Sequence, residues 1–309
     1  MPNPPRITPE MIRLYDDFTH RTFDRRALMT GLTRLAGSSA AALAALSLIE
    51  ADPAAAAQVE ADDPRLSTSH VQWPVADGRI MKGYLALPKP MPQRLPSIVI
   101  VHENRGLNGY IEDVARRAAL AGFVALAPDF LTPFGGTPAD EDQAREMIGK
   151  LNAAHTIVDA VATLDWLRHN PRVSGKVGTV GFCWGGGLVN RIAVAAGEKL
   201  DAGVAFYGPT PPPADATRVK AAMMLHYAGL DQWVNKNAPA WVAALQAAGV
   251  DVQSFTYPDV EHAFHNDTSA ARYNAEAANL AWDRTIAFFH EKLESPAPAP
   301  VPGDVPPAQ

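Results

Sequence analysis

The chain has 309 residues, of which 47% are hydrophobic and 19% charged, and its formal net charge is −6. That balance supports a sizeable core and excludes global disorder, and a weakly acidic chain without a basic stripe does not suit nucleic-acid binding. The lone cysteine, Cys183, excludes an intramolecular disulfide and a zinc site built on several cysteines, which leaves it as apolar filler or as a reactive thiol.

Near the N-terminus, Arg25-Arg26 are followed by an apolar stretch over 35–49 and small residues over 54–57. Basic, apolar and small residues in that order predict an export leader over 1–58, of the twin-arginine type, with the periplasm or the exterior as destination. Asp24 stands where Ser or Thr is usual, so the alternative is an N-terminal helix that stays attached to a cytoplasmic protein. The apolar stretch falls short of the ~20 residues of a membrane span, and no stable span is expected. Residues 59–68 read as a linker, 69–293 as one domain, and the Pro/Ala-rich 294–309 as a flexible tail.

Within the domain, 71–87 predicts two strands joined at Asp77-Gly78, a common hairpin pair. The continuous apolar run 97–102 predicts a strand buried on both faces, and 111–121 carries helical spacing. A strand at 123–127, helices at 139–151 and 156–169, a strand at 177–180 and a helix at 185–196 follow. Strands at 202–207 and 223–227, a helix at 238–248, a strand at 252–257 and a long helix at 271–293 complete the chain. Buried strands alternating with helices predict an α/β fold, a mostly parallel sheet covered on both faces. In such sheets the chemistry lies beyond the carboxyl ends of the strands.

Three post-strand segments carry candidate chemistry. After the strand at 177–180 comes Gly181-Phe182-Cys183-Trp184-Gly185. This is G-x-C-x-G, the sharp strand-to-helix turn of a nucleophile elbow, where side chains two residues before and after would collide. The helix N-terminus that follows favours a thiolate. The bland alternative is a structural cysteine beside a glycine-rich helix start. A phosphate-binding loop is a second and weaker alternative, because neither G-x-G-x-x-G nor Gly-Lys-Ser/Thr is present. After 223–227 comes Asp231, and after 252–257 comes His262. Nucleophile, acid, histidine is the chain order of an α/β-hydrolase. In that order His262 takes the thiol proton and Asp231 fixes its tautomer. His226 lies within a strand and is expected in the core, while His265 and His290 are candidates by type alone.

With those residues placed, the chain resembles the dienelactone hydrolase (carboxymethylenebutenolidase) family over nearly all of 69–293. The resemblance is carried by His102-Glu103-Asn104-Arg105-Gly106-Leu107-Asn108, by Gly181 to Gly186, and by Glu261-His262-Ala263-Phe264. It implies an α/β-hydrolase fold and cleavage of a small-molecule ester or lactone, with no metal or organic cofactor. It implies also that Glu103 contacts the nucleophile thiol, the bland alternative being a loop anchor paired to Arg105. The backbone N–H groups of Trp184 and Asn104 are the implied oxyanion donors. The family's carboxylate-binding arginines are absent after Pro128-Asp129 and after Phe264. Arg105 is the candidate substitute cation, and Phe130, Phe134 and Trp184 are candidates for a more apolar pocket. A binding or scaffold protein on the same fold, and a hydrolase of another acyl bond such as a thioester or amide, are the rival readings.

Overall fold

The computed structural model describes residues 6–20, 24–50 and 57–294; the Pro/Ala-rich segment and most of the small-residue run at 54–57 lie outside them. Three N-terminal helices come first, α1 (Pro9–His20), α2 (Arg25–Ala36) and α3 (Ser39–Ile49). The strands are β1 (Leu66–Pro74), β2 (Ile80–Pro88), β3 (Leu95–Val101), β4 (Val124–Asp129), β5 (Val173–Phe182), β6 (Ala202–Phe206), β7 (Ala222–Ala228) and β8 (Val252–Tyr257). Between and after them lie α4 (Gly109–Leu120), α5 (Glu141–Gly149), α6 (Ala153–Arg168), α7 (Trp184–Ala196), the short α8 (Gln232–Asn235), α9 (Ala238–Ala247) and α10 (Ala275–Leu293).

The strands form one eight-stranded sheet in the order β1-β2-β4-β3-β5-β6-β7-β8. β1 with β2 and β2 with β4 run antiparallel, and every other pair is parallel. The apolar runs of the central strands follow from this burial. Ile98 and Ile100 of β3 face a layer shared with Val114 of α4 and Phe288 of α10. The intervening Val99 and Val101 face Leu164 of α6, Val189 of α7 and Trp241 of α9. A side chain alternates face at each residue, so a strand covered on both sides is apolar throughout.

The 71–87 hairpin forms as expected, with Asp77 at φ 56° and Gly78 at φ 72° in its turn. The last helix begins at Ala275, four residues later than its apolar pattern predicts. Asn274 caps it by accepting from the Ala277 N–H, and the Ala271 N–H is bonded instead to the Leu48 carbonyl, 2.9 Å away. Helices α1 to α3 carry a small core of their own, with Met11, Tyr15, Phe18, Leu28, Leu32 and Leu46 buried together. Among the described residues no single helix is long and apolar enough to cross a membrane; α2 and α3 are so only together, and they are bent 110° apart.

Candidate active site

Cys183 follows β5, the strand between β3 and β6, and its backbone is held at φ 54° and ψ −114°. The glycines explain how the turn is tolerated. A Cβ on Gly181 would stand 2.3 Å from the Gly185 carbonyl oxygen, and one on Gly185 would stand 2.5 Å from the carbonyl oxygens of Val101 and His102. A Cβ on Gly186 would meet the Phe206 carbonyl oxygen at 2.5 Å. Cys183 thereby stands at the start of α7, with Trp184 as that helix's first residue. N–H groups in a first helical turn have no partner one turn earlier, which leaves them to point at a ligand.

The other post-strand segments converge on the same edge. Asp231 follows β7, and His262 follows β8. The His262 Nδ1 lies 2.6 Å from Asp231 Oδ2, and both side chains are buried. The second Asp231 oxygen accepts from the Val234 N–H at 3.0 Å and caps α8. The carboxylate is therefore fixed by the element that follows it. Burial opposes a charged imidazole, yet the charges of Cys183 and Asp231 and hydrogen bonding to both outweigh it and hold His262 well above the usual imidazole range.

Glu103 follows β3 and is buried beside Cys183 in one small cavity. Asn266 Nδ2 donates to Glu103 Oε2 at 2.7 Å, and the Tyr207 hydroxyl donates to Oε1 at 3.4 Å. Burial pushes the Tyr207 phenol well above its ordinary range, so it stays a neutral donor. Its ring stands 5.0 Å from that of His262. Arg105 does not pair with Glu103. It binds the Glu141 carbonyl at 3.0 Å, Asp142 Oδ1 at 3.1 Å and the Tyr15 hydroxyl at 2.8 Å. The Glu103 loop is set by His102 instead. That ring donates from Nδ1 to the Glu103 carbonyl at 2.6 Å and accepts at Nε2 from the Phe130 N–H at 3.2 Å.

The cavity at Cys183 has a volume of about 20 Å³ and is lined also by Asn104, Arg105, Arg272 and, from α1, Tyr15 and Thr19. Phe130 and Phe134 are not brought to it. Phe130 is buried under His102 and Trp184, and both phenylalanines line a separate cavity of about 240 Å³ with Met81 and Leu151. His226 and His265 are core residues. His226 is held by Tyr257 and Thr285, and His265 by Tyr110. Among the described residues no group of three or more His, Cys, Asp or Glu side chains could hold a metal ion.

Sequence reading missed Tyr207, Asn266, Arg272, Tyr15 and Thr19. Tyr207 could have been found, since it follows β6 at the same edge. Nothing in the local pattern marks the other four.

A family model described as the dienelactone hydrolase family matches residues 81–293. The chain belongs to the dienelactone hydrolase family. As a member it is a carboxylic ester hydrolase on the α/β-hydrolase fold. Protein usf of Aquifex pyrophilus is 35% identical over 227 residues, which are 70% of this chain and 96% of that protein. An Escherichia coli O157:H7 protein, provisionally named a carboxymethylenebutenolidase, is 30% identical over 256 residues, 78% of this chain and 93% of that one. Among solved structures, a provisionally named dienelactone hydrolase from Klebsiella pneumoniae is 27% identical, with a TM-score of 0.66 over 73% of this chain and 99% of that one. Helices α1 to α3 precede the segment that the dienelactone hydrolase family model matches.

Proposed function

We propose that Cys183, His262 and Asp231 act as a nucleophilic triad that opens an ester or lactone through a thioester acyl-enzyme. The observation that carries this reading is the 2.6 Å Asp231–His262 contact behind a cysteine on a strained strand-to-helix turn. His262 takes the thiol proton, and Asp231 holds the ring and stabilises its cationic form. The sulfur attacks the acyl carbon, the C–S bond forms and the carbonyl π pair moves to oxygen. Backbone N–H groups of Trp184 and Asn104 hold that oxyanion. Collapse restores the carbonyl and breaks the acyl C–O bond, and the departing alkoxide takes the His262 proton. Water then gives a proton to His262 and attacks the thioester. The acid leaves and the sulfur regains its electron pair. Glu103, fixed by Asn266 and Tyr207, stands beside the nucleophile as substrate arrives.

The pocket favours a neutral ester over an anionic one. Its two arginines already face their own carboxylates, Arg105 with Asp142 at 3.1 Å and Arg272 with Asp16 at 3.6 Å. A cation so engaged has little charge left for a substrate carboxylate.

The test is hydrolysis of short p-nitrophenyl esters and of a dienelactone by the full chain, beside Cys183→Ala and Asp231→Asn. We expect turnover of the neutral esters in preference to the dienelactone. Losses of kcat of at least ~10³-fold for Cys183→Ala and about 10⁴-fold for Asp231→Asn are expected. Full activity in Cys183→Ala would overturn the assignment. A wild type inert to esters and to iodoacetamide would favour a scaffold. Inertness to esters with Cys183 readily alkylated would point to a thioester or amide substrate.

A further inference from the structure

The catalytic cavity is closed from above by a part of the chain that the family match does not cover. Its volume of about 20 Å³ holds little more than one water, for which ~10–15 Å³ suffices. Pockets that bury small ligands run to roughly 300 Å³ and more. The closing element is α1. The Tyr15 hydroxyl accepts from Arg105 at 2.8 Å, the Arg272 guanidinium lies 4.9 Å from the Tyr15 ring centre, and Asn104 Nδ2 donates to the Thr19 carbonyl at 3.5 Å.

The helical unit is built as a separate body. Its buried apolar side chains pack on one another; among the described residues Ala271 is the hydrophobic side chain of the hydrolase domain that joins them, and the Arg145 guanidinium lies 4.1 Å from the Phe18 ring centre. Its contacts with the catalytic mouth are mainly polar, and such contacts exchange for water at little net cost. At its other end it is tied down. The Leu48 carbonyl accepts from the Ala271 N–H at 2.9 Å, and the Ile49 carbonyl accepts from Ser269 Oγ at 2.7 Å and Arg272 Nε at 3.2 Å. Those partners lie in the segment that follows His262. Arg25, the first of the paired arginines, is engaged with Glu50 and with Asp142 of α5. Arg25 is thus part of the contact between this unit and the domain.

We propose that α1 is the roof of the substrate pocket, that residues 9–49 stay in the working enzyme, and that Tyr15 and Thr19 are specificity-determining residues that touch the bound ester. Substrate enters as α1 lifts off Arg105 and Asn104 while the end of α3 remains anchored. This rests on the assignment of Cys183 as the nucleophile.

The test uses the full chain with Tyr15→Phe, Tyr15→Ala and Thr19→Phe. Tyr15→Phe keeps the ring in the helical core and deletes only the bond to Arg105, so it reads the roof even where Tyr15→Ala fails to fold. One readout is the ratio of kcat/KM on p-nitrophenyl hexanoate to that on the acetate. Another is the rate at which N-ethylmaleimide alkylates Cys183, which needs no turnover. A third is the intact mass of the chain recovered from its native host. We expect Tyr15→Ala to raise the hexanoate-to-acetate ratio about tenfold and Thr19→Phe to lower it about as much. Alkylation should quicken roughly fivefold in Tyr15→Phe, as the closed state loses a bond. The recovered mass should include residues 9–49. Ratios and alkylation rates within about twofold of wild type in all three variants, or a recovered chain lacking those residues, would overturn the roof. Cys183→Ala inactive beside such results would leave the nucleophile standing. Full activity in Cys183→Ala would remove the nucleophile, and the alkylation rates would still judge the roof.

Discussion

At Cys183 the backbone is bent to a positive φ that a non-glycine residue rarely holds. The bend is over-determined by neighbours that come too close for any side chain. Gly185 shows it most sharply, because the atoms its Cβ would meet are carbonyl oxygens of Val101 and His102, backbone that cannot rotate aside. We expect Gly185→Ala to destabilise the chain by about 1–3 kcal/mol or more through overpacking. The shift should appear as a lower urea midpoint, with activity lost beyond the loss of stability. An unchanged midpoint would mean that the turn is looser than its geometry implies. The glycines and the cysteine were legible in the sequence because the elbow's constraint is local. The partners of Glu103 were not. Asn266 lies 163 residues away along the chain, and no short-range pattern records such a meeting.

Among the elements, β7 and α10 show how a histidine can belong to the core. His226 lies in β7, and its two ring nitrogens meet the Tyr257 hydroxyl of β8 at 2.9 Å and Thr285 of α10 at 3.1 Å. Burial lowers its pKa to about 3, against roughly 6.5 in an unfolded chain. The folded state therefore binds fewer protons than the unfolded one between those values. Its contribution to stability is complete above pH ~6.5 and is lost as pH falls toward about 3, by up to about 5 kcal/mol. Urea midpoints between pH 7.5 and 4.5 should fall less steeply in His226→Gln than in the wild type, since the amide does not titrate. Equal slopes would mean that His226 stays protonated inside the core. Strand and helix types followed from apolar periodicity, and the ends did not. α10 starts at Ala275 because Asn274 caps it and because Ala271 is spoken for by α3.

For the molecule as a whole, the sheet and its two helical layers form one continuous body, and the N-terminal helices form a second that rests on it. The small size of that second core and its polar contacts with the first predict a graded response to opening. In native-state hydrogen exchange, amides of α1 and α2 should exchange well before those of β3, β5 and β6. Protection of α1 equal to that of β5 would mean that the two bodies open only together.

The sequence by itself determined the layer architecture, because two-faced burial writes continuous apolar runs into the strands. It determined the nucleophile elbow as well, because steric exclusion at a sharp turn writes glycine on both sides of Cys183. The order Cys183, Asp231, His262 was readable because each follows a strand that ends on the same edge. Tertiary structure alone decided what surrounds those groups. Asn266 and Tyr207 meet Glu103, Asp142 rather than Glu103 takes Arg105, and Phe130 and Phe134 turn to another cavity. It alone set α1 over the site. A basic-apolar-small order is written alike in a leader and in a packed helical unit, because both need an apolar face beside basic residues, so the pattern alone does not tell them apart.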